Sequence, residues 1–359
     1  SDLALRDARL IAFYLPQFHR IAENDTWWGA GFTEWTNVSK AIPQFLGHHQ
    51  PRLPGELGFY DLTAPDTLRR QVELARAYGV SAFCFHYYWF GGKRMLERPL
   101  DVFARDASLD IGFTLCWANE NWTRRWDGAE GSVLLAQQHS NEDHARVFDD
   151  MARYLEDPRA IRIGGKPLMI VYRPDIIPNV RAMVEIWRER AALRGWPGIY
   201  VAATDAFQFS EPVKFGFDGL IEFPPHGLFP PRIEKHLTWL NDNHRGAVFD
   251  YTATAEEAIA RLARRGRSKG DVFPGVMPGW DNEARRPGAG NIFHGATPAA
   301  YGRWLNAACA AAEQSLPADK RFVFVNAWNE WAEGAYLEPD RKWGRAFLEA
   351  TARVMASAH

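Results

Sequence analysis

Cysteine is scarce: Cys84, Cys116 and Cys309 are the three in 359 residues. An odd count, with the first two inside strand-like apolar runs, argues against a disulfide framework and makes buried thiols the expected state. The chain has no Cys/His spacing of the zinc type. Asp281 and Asn282 alone supply too few oxygen ligands for a cation. Long apolar runs are missing too. No stretch of eighteen apolar residues occurs and the opening residues carry no signal-peptide pattern, so a soluble chain without a membrane span is expected. Charge of one sign is not concentrated anywhere. A formal net charge of -2, with no block of like charges, offers no basic field for nucleic acid or anionic lipid. No Asp-x-Asp is present to hold a metal-bound sugar nucleotide, and no glycine-rich helix start to hold a diphosphate. Gly164-Gly165-Lys166-Pro167 precedes a strand and lacks phosphate-loop spacing. The expectation is therefore no cofactor, no metal, no nucleic-acid partner and a monomer.

What the chain has in quantity is apolar and aromatic sequence. It is 47% hydrophobic and 14% aromatic, with fifteen tryptophans. Apolar runs alternate with helical patterns. Strands are expected at Leu10–Leu15, Val80–Phe85, Ile111–Trp117, Leu168–Tyr172, Ile199–Ala203, Gly219–Phe223, Val272–Met277 and Phe322–Ala327. Helical patterns fall at about 64–78, 141–156, 180–194, 253–265, 298–312 and 344–356. Eight strands that read continuously apolar, in a chain of this size, predict one α/β domain over 1–359, a (β/α)8 TIM barrel with long βα loops. A doubly wound sheet with a second domain is the alternative.

In a barrel, functional groups sit at the C-terminal ends of the strands. The residues found there are Tyr14, Gln17 and His19 after strand 1, and His86, Tyr87 and Tyr88 after strand 2. Trp117, Asn119, Glu120 and Trp122 follow strand 3, Tyr172 strand 4, Asp205 strand 5 and Trp280 strand 7. Trp35 lies in the long segment between Phe18 and Ala64, which is expected to wall a cleft. His86 reads equally as a hydroxyl contact or as a satisfied core histidine, and Trp35 as lining or as part of a satellite cluster. Indole faces stack on pyranose rings while amides, carboxylates and imidazole bond hydroxyls, so this set suits a sugar ligand.

Strand 8 runs into Asn329-Glu330-Trp331-Ala332-Glu333-Gly334, with Glu338 shortly after. Two glutamates three residues apart cannot share a face of a strand. In a tight turn they become neighbours, roughly 5–6 Å apart at Cβ. Two carboxyl groups so placed between indoles are the equipment of a glycosidase, one protonating the leaving oxygen and one handling charge at the anomeric carbon. Glu330 and Glu333 are the candidate catalytic pair, and Asn329, Trp331 and Glu338 candidate substrate contacts.

Ala12–His19, Gly31–Val38, Cys116–Trp122 and Asn326–Gly334 together resemble the WbsX-type, glycoside hydrolase family 99-like proteins, a grouping found in bacterial polysaccharide loci. More distantly, the chain is similar to retaining endo-α-mannosidases of family 99. The resemblance implies a (β/α)8 fold and catalysis without a covalent glycosyl-enzyme. It implies Glu330 as the base that deprotonates the sugar 2-hydroxyl to form a 1,2-anhydro sugar, and Glu333 as general acid and then base. Ala332 stands where family 99 commonly has histidine, which puts the identity of the sugar in question. The route needs a 2-hydroxyl trans to the leaving group, as in α-mannosides and α-rhamnosides. The expected function is thus a retaining, metal-independent glycoside hydrolase acting on such linkages in a polysaccharide. A glycosyltransferase of O-antigen biosynthesis and a non-catalytic glycan-binding barrel are the alternatives.

Overall fold

The computed structural model describes residues 6–18, 22–28, 30–123, 133–206, 209, 211–264 and 270–356. Eight parallel barrel strands run in chain order: Arg9–Tyr14, Val80–Phe90, Gly112–Trp117, Lys166–Val171, Tyr200–Thr204, Gly219–Ile221, a seventh in two pieces, and Phe322–Val325. Each pairs in parallel with its neighbours in sequence, and the first also pairs with the eighth, Arg9 opposite Phe322 and Ala12 opposite Val325. Their side chains face either the barrel interior or the surrounding helices, so both faces are buried and the sequence reads as unbroken apolar runs. Leu10–Tyr14, Phe83–Phe85 and Phe322–Val325 are all fully or nearly fully buried.

The seventh strand explains how the sheet closes. Asp271–Phe273 pairs with the sixth strand and Gly275–Val276 with the eighth. Pro274 stands between them, and without an N–H it cannot carry one ladder through. The ladder changes partner there instead. Phe273 O accepts from Glu222 N at 3.0 Å, and Pro274 O from Phe324 N at 2.9 Å. Gly275 lets the two backbones approach, since a Cβ at that position would lie 1.9 Å from Glu222 O.

Among the described residues, nine helices pack outside or cap the barrel: α1 Ala22–Trp28, α2 Glu34–Lys40, α3 Pro65–Ala77, α4 Arg98–Arg105, α5 Asn141–Leu155, α6 Val180–Leu193, α7 Tyr251–Arg264, α8 Pro298–Ser315 and α9 Ala346–Ala356. Their starts are written in the sequence. Ser140 accepts from Asp143 N and Thr297 from Ala300 N, while Pro65 and Pro298 occupy first-turn positions that need no donor. The connection from fifth to sixth strand has, among the described residues, only the 3-10 turn Pro212–Phe215. Among the described residues, no helix is long and apolar enough to cross a membrane.

All eight expected strands are present. The second runs to Phe90 instead of ending at Phe85, and this changes which of its aromatic residues reach the barrel mouth. Above the seventh strand a small sheet joins Val248–Asp250, Ile292–His294 and Trp280–Asp281. The periodicity of the sequence does not announce it, because each strand is only two or three residues long.

Gly275→Ala is expected to force Glu222 and the seventh strand apart, with a loss on the order of 3 kcal/mol or more. Urea unfolding monitored by circular dichroism measures it.

Candidate active site

The eighth strand ends in a tight device. Asn329–Glu330 pairs antiparallel with Ala335–Tyr336 around the 3-10 turn Trp331–Glu333. Gly334 closes that turn at φ +63°, and a Cβ there would lie 2.8 Å from Asp281 N, so glycine is required on both counts. The Asn329 amide clamps the turn to the first strand, accepting from Leu15 N at 2.7 Å and donating to Leu15 O at 2.9 Å. Trp331 points away from the cleft, stacked on Tyr336 at 3.8 Å and donating to Glu338 Oε1 at 3.0 Å. Glu330 and Glu333 turn the other way, into a cavity of about 900 Å3 at the barrel mouth.

One guanidinium holds this site together. Arg285 donates from Nε to Glu34 Oε1 at 2.7 Å and also pairs with it through Nη2. Its Nη2 lies 3.6 Å from Glu330 Oε2 and its Nη1 3.3 Å from Glu333 Oε1. Burial alone would lower the Arg285 pKa, but Glu34, Glu333 and Glu330 reverse that and raise it. Glu330 moves in the opposite sense to an ordinary ion-pair partner. Burial drives its carboxyl well above the usual range, the charge of Glu333 reinforces this, and Arg285 offsets it only in part. His86 Nε2 lies 3.6 Å from Glu330 Oε1, and burial, then Arg285, pushes its pKa down to about 4. It is therefore neutral near pH 7. Glu330 Oε2 and His86 Nε2 are buried and make no hydrogen bond among the described residues, which leaves both available to a ligand hydroxyl.

Of the residues singled out from sequence, Glu330, Glu333, His86, Tyr88, Glu120, Tyr172, Asp205 and Trp280 line this cavity together. The others do not. Tyr87 departs from expectation because the second strand continues: its alternation sends His86 and Tyr88 inward and Tyr87 outward, under the Arg94 guanidinium. Trp117 is fully buried against Trp187 and His144. Asn119 braces the neighbouring loop instead of a ligand, bonding Arg173 N and O at 2.7 Å each. Trp35 packs on Phe18, Tyr60 and Trp331 and donates to Tyr60 O. Tyr14 donates to Gln71 Oε1, and Gln17 is fully buried with its amide unpartnered among the described residues. Glu338 is buried beneath the turn, accepting from Tyr60 at 2.5 Å, Gln71 at 2.9 Å and Trp331. His19 and the side chain of Trp122 lie outside the described residues. Sequence reasoning missed Arg285, whose loop has no periodicity. It left Glu34 unassigned although Thr33-Glu34-Trp35 stood in one of the matching segments.

Strand order and closure define a chain of the (β/α)8 TIM-barrel class. The family model described as "Glycosyltransferase WbsX" matches residues 10–351, and the chain belongs to that family. It is 46% identical over 351 residues, 98% of its length, to "Uncharacterized protein WxcX" of Xanthomonas campestris pv. campestris strain B100, and as similar to that protein of strain ATCC 33913. It spans half the length of these relatives. Among solved structures it is similar to a "Glycoside hydrolase-like protein" at 12% identity and TM-score 0.62, covering 100% of this chain and 98% of that one. The GH99 endo-alpha-mannosidase from Bacteroides thetaiotaomicron matches at 16% identity and TM-score 0.62, over 98% and 97% of the two chains. At such identities the likeness is one of fold.

Two outcomes follow from the charges. Removing one partner of a buried ion network leaves the other uncompensated. Arg285→Met is therefore expected to lose about 3–5 kcal/mol of stability at neutral pH, and Glu34→Gln added to it should restore part of the loss, as read by denaturant unfolding of both variants. Burial raises Glu338 from 4.5 to about 7. A carboxyl whose pKa is raised by folding contributes stability present below its unfolded value and lost as pH climbs through the folded one. The cost of Glu338→Gln should accordingly be largest near pH 5 and shrink by up to about 3 kcal/mol by pH 8, measured by urea titrations across that range.

Proposed function

We propose that the chain is a retaining glycoside hydrolase that cleaves α-manno- or α-rhamno-configured linkages in a polysaccharide. The observation that carries this reading is the placement of Glu330 and Glu333 on one turn, facing one sugar-sized cavity, with the Arg285 guanidinium within 4 Å of both. In the reading, Glu330 takes the proton of the 2-hydroxyl as O2 attacks the anomeric carbon. Glu333 gives its proton to the departing glycosidic oxygen as that bond breaks. The product is a 1,2-anhydro sugar. Glu333 then removes a proton from water, the water oxygen attacks the anomeric carbon, and Glu330 returns its proton to O2 as the three-membered ring opens. Configuration is retained and the route requires no metal.

The two carboxyls must share one proton for this cycle. In the empty site burial favours protonation of Glu330. A bound 2-hydroxyl donating to Glu330 stabilises its ionised form and leaves the proton to Glu333, beside the glycosidic oxygen. His86 is neutral and can accept from or donate to a neighbouring hydroxyl without adding charge.

The family description names a glycosyltransferase, and that is the second reading. Calorimetry with sugar nucleotides separates the two, since their binding without any glycan hydrolysis would favour transfer.

Product formation should be screened over α-mannans, rhamnose-containing glycans and the matching aryl glycosides. Glu330→Gln is expected to lower kcat/KM by about 10^2–10^4 on every substrate. Glu333→Gln should do so on glycans while largely sparing aryl glycosides with good leaving groups. The alkaline limb of the wild-type pH profile should fall above the ordinary glutamate value of about 4.3, because burial raises the pKa of Glu330 in the pair. Undiminished hydrolysis by both variants would sink the assignment.

A further inference from the structure

The cavity extends beyond the carboxylates along the small sheet. Trp280 is the cross-strand partner of Phe293, and Phe293 of Phe249. Cross-strand partners share a face, and all three line the cavity. Two strand spacings make the row about 10 Å long, enough for two linked pyranoses. Its Trp280 end is the carboxylate end, because Asp281 abuts the Gly334 turn. Its Phe249 end leads outward to the loop whose Arg232 bridges Phe249 and whose Leu228 and Phe229 also line the cavity. Phe229 is 76% exposed, a large apolar ring held in water at the rim.

Hydrogen-bonding capacity along the row is partly committed elsewhere. Asn291 Oδ1 accepts from Ala247 N at 3.0 Å and Asn282 Oδ1 from Asn291 N at 2.8 Å. A primary hydroxyl laid against the phenyl rings would give up water without full replacement, whereas a methyl group would gain by burial.

We propose that the row Trp280–Phe293–Phe249, continued by Phe229, is a binding strip for at least two consecutive 6-deoxyhexose units of the glycan, adjoining the reaction centre. The proposal rests on reading the cleft as a glycan site and adds to it which chain the cleft selects. The strip makes the substrate an extended chain, with sugars on the Phe229 side held by their apolar faces and C6 methyl groups.

The test is calorimetric titration of the non-cleaving Glu330→Gln/Glu333→Gln protein with α-linked oligosaccharides of one to four units. Matched mannose and 6-deoxymannose series are used, in both enantiomeric forms. Affinity is expected to rise roughly fivefold per unit over the second and third sugars, and several-fold from each hexose to its 6-deoxy counterpart. Phe229→Ala, a change at an exposed side chain, and Phe249→Ser should abolish the gain with length and leave monosaccharide binding unchanged, with thermal melting confirming that both fold. Flat affinity with length, equal affinity for the two series, or variants that weaken one-unit and four-unit ligands alike would overturn the strip. If wild type hydrolyses glycans while affinity stays flat, only the strip falls. If no oligosaccharide binds and none is cleaved, the strip falls together with the proposed function.

Discussion

One guanidinium among three carboxylates is the constraint on which the site depends. Glu34 is fully buried and Glu330 nearly so, and a buried carboxylate must be paired, hydrogen-bonded or protonated. Arg285 compensates one negative charge, not three, so burial and the charge of Glu333 favour the protonated form of Glu330. The position of Arg285 is itself fixed from several sides. Asp281, four residues earlier, bonds His48 Nε2 at 2.7 Å and Glu283 N at 3.0 Å. The Glu283 carboxylate accepts from Gly288 N and from Gly290 N, tying the loop back on itself. Gly334 touches the same loop from the other side. The loop after the seventh strand and the end of the eighth thus define each other, and the distance from Arg285 to the glutamates follows from that contact.

The barrel was legible because parallel strands buried on both faces must be apolar throughout, and helices between them must be amphipathic and capped. The site was legible to the extent that it sits on strand ends. Glu330, Glu333, His86, Tyr88 and Tyr172 stand at or beyond strand ends and line the cavity. Where legibility failed, the cause is the difference between being near a strand end and pointing into the mouth. Tyr87 is separated from the cleft by one residue of alternation, a distinction readable only once the strand is known to continue to Phe90. Trp331, Trp35, Tyr14, Asn329 and Glu338 form the packed support beneath the turn, and composition cannot tell a supporting indole from a lining one. Arg285 and Glu34 meet across 251 residues, on an irregular loop and a two-turn helix. Neither carries a period that would signal the meeting.

The likeness to solved glycosidases fixes a fold, and the family description names a transfer reaction, so the choice between the readings rests on the site. Its charged lining comprises Glu330, Glu333, Glu120 and Asp205 against Arg285 and Arg286. Arg285 is already shared with Glu34, and Glu120 is paired with Arg173 at 3.2 Å. A sugar nucleotide would bring a diphosphate with negative charge to a mouth whose described lining carries four acids and two arginines, and like charges juxtaposed in a desolvated site cost several kcal/mol. A neutral glycan meets no such opposition. Its hydroxyls can bond the carboxyls and the neutral imidazole, its ring faces can lie on Trp280 and the phenyl rings, and the charge that develops at the anomeric carbon is positive, where a carboxylate-rich surrounding is favourable. Among the described residues, the lining of the mouth is thus better matched to the neutral chain of the proposed reading than to an anionic donor.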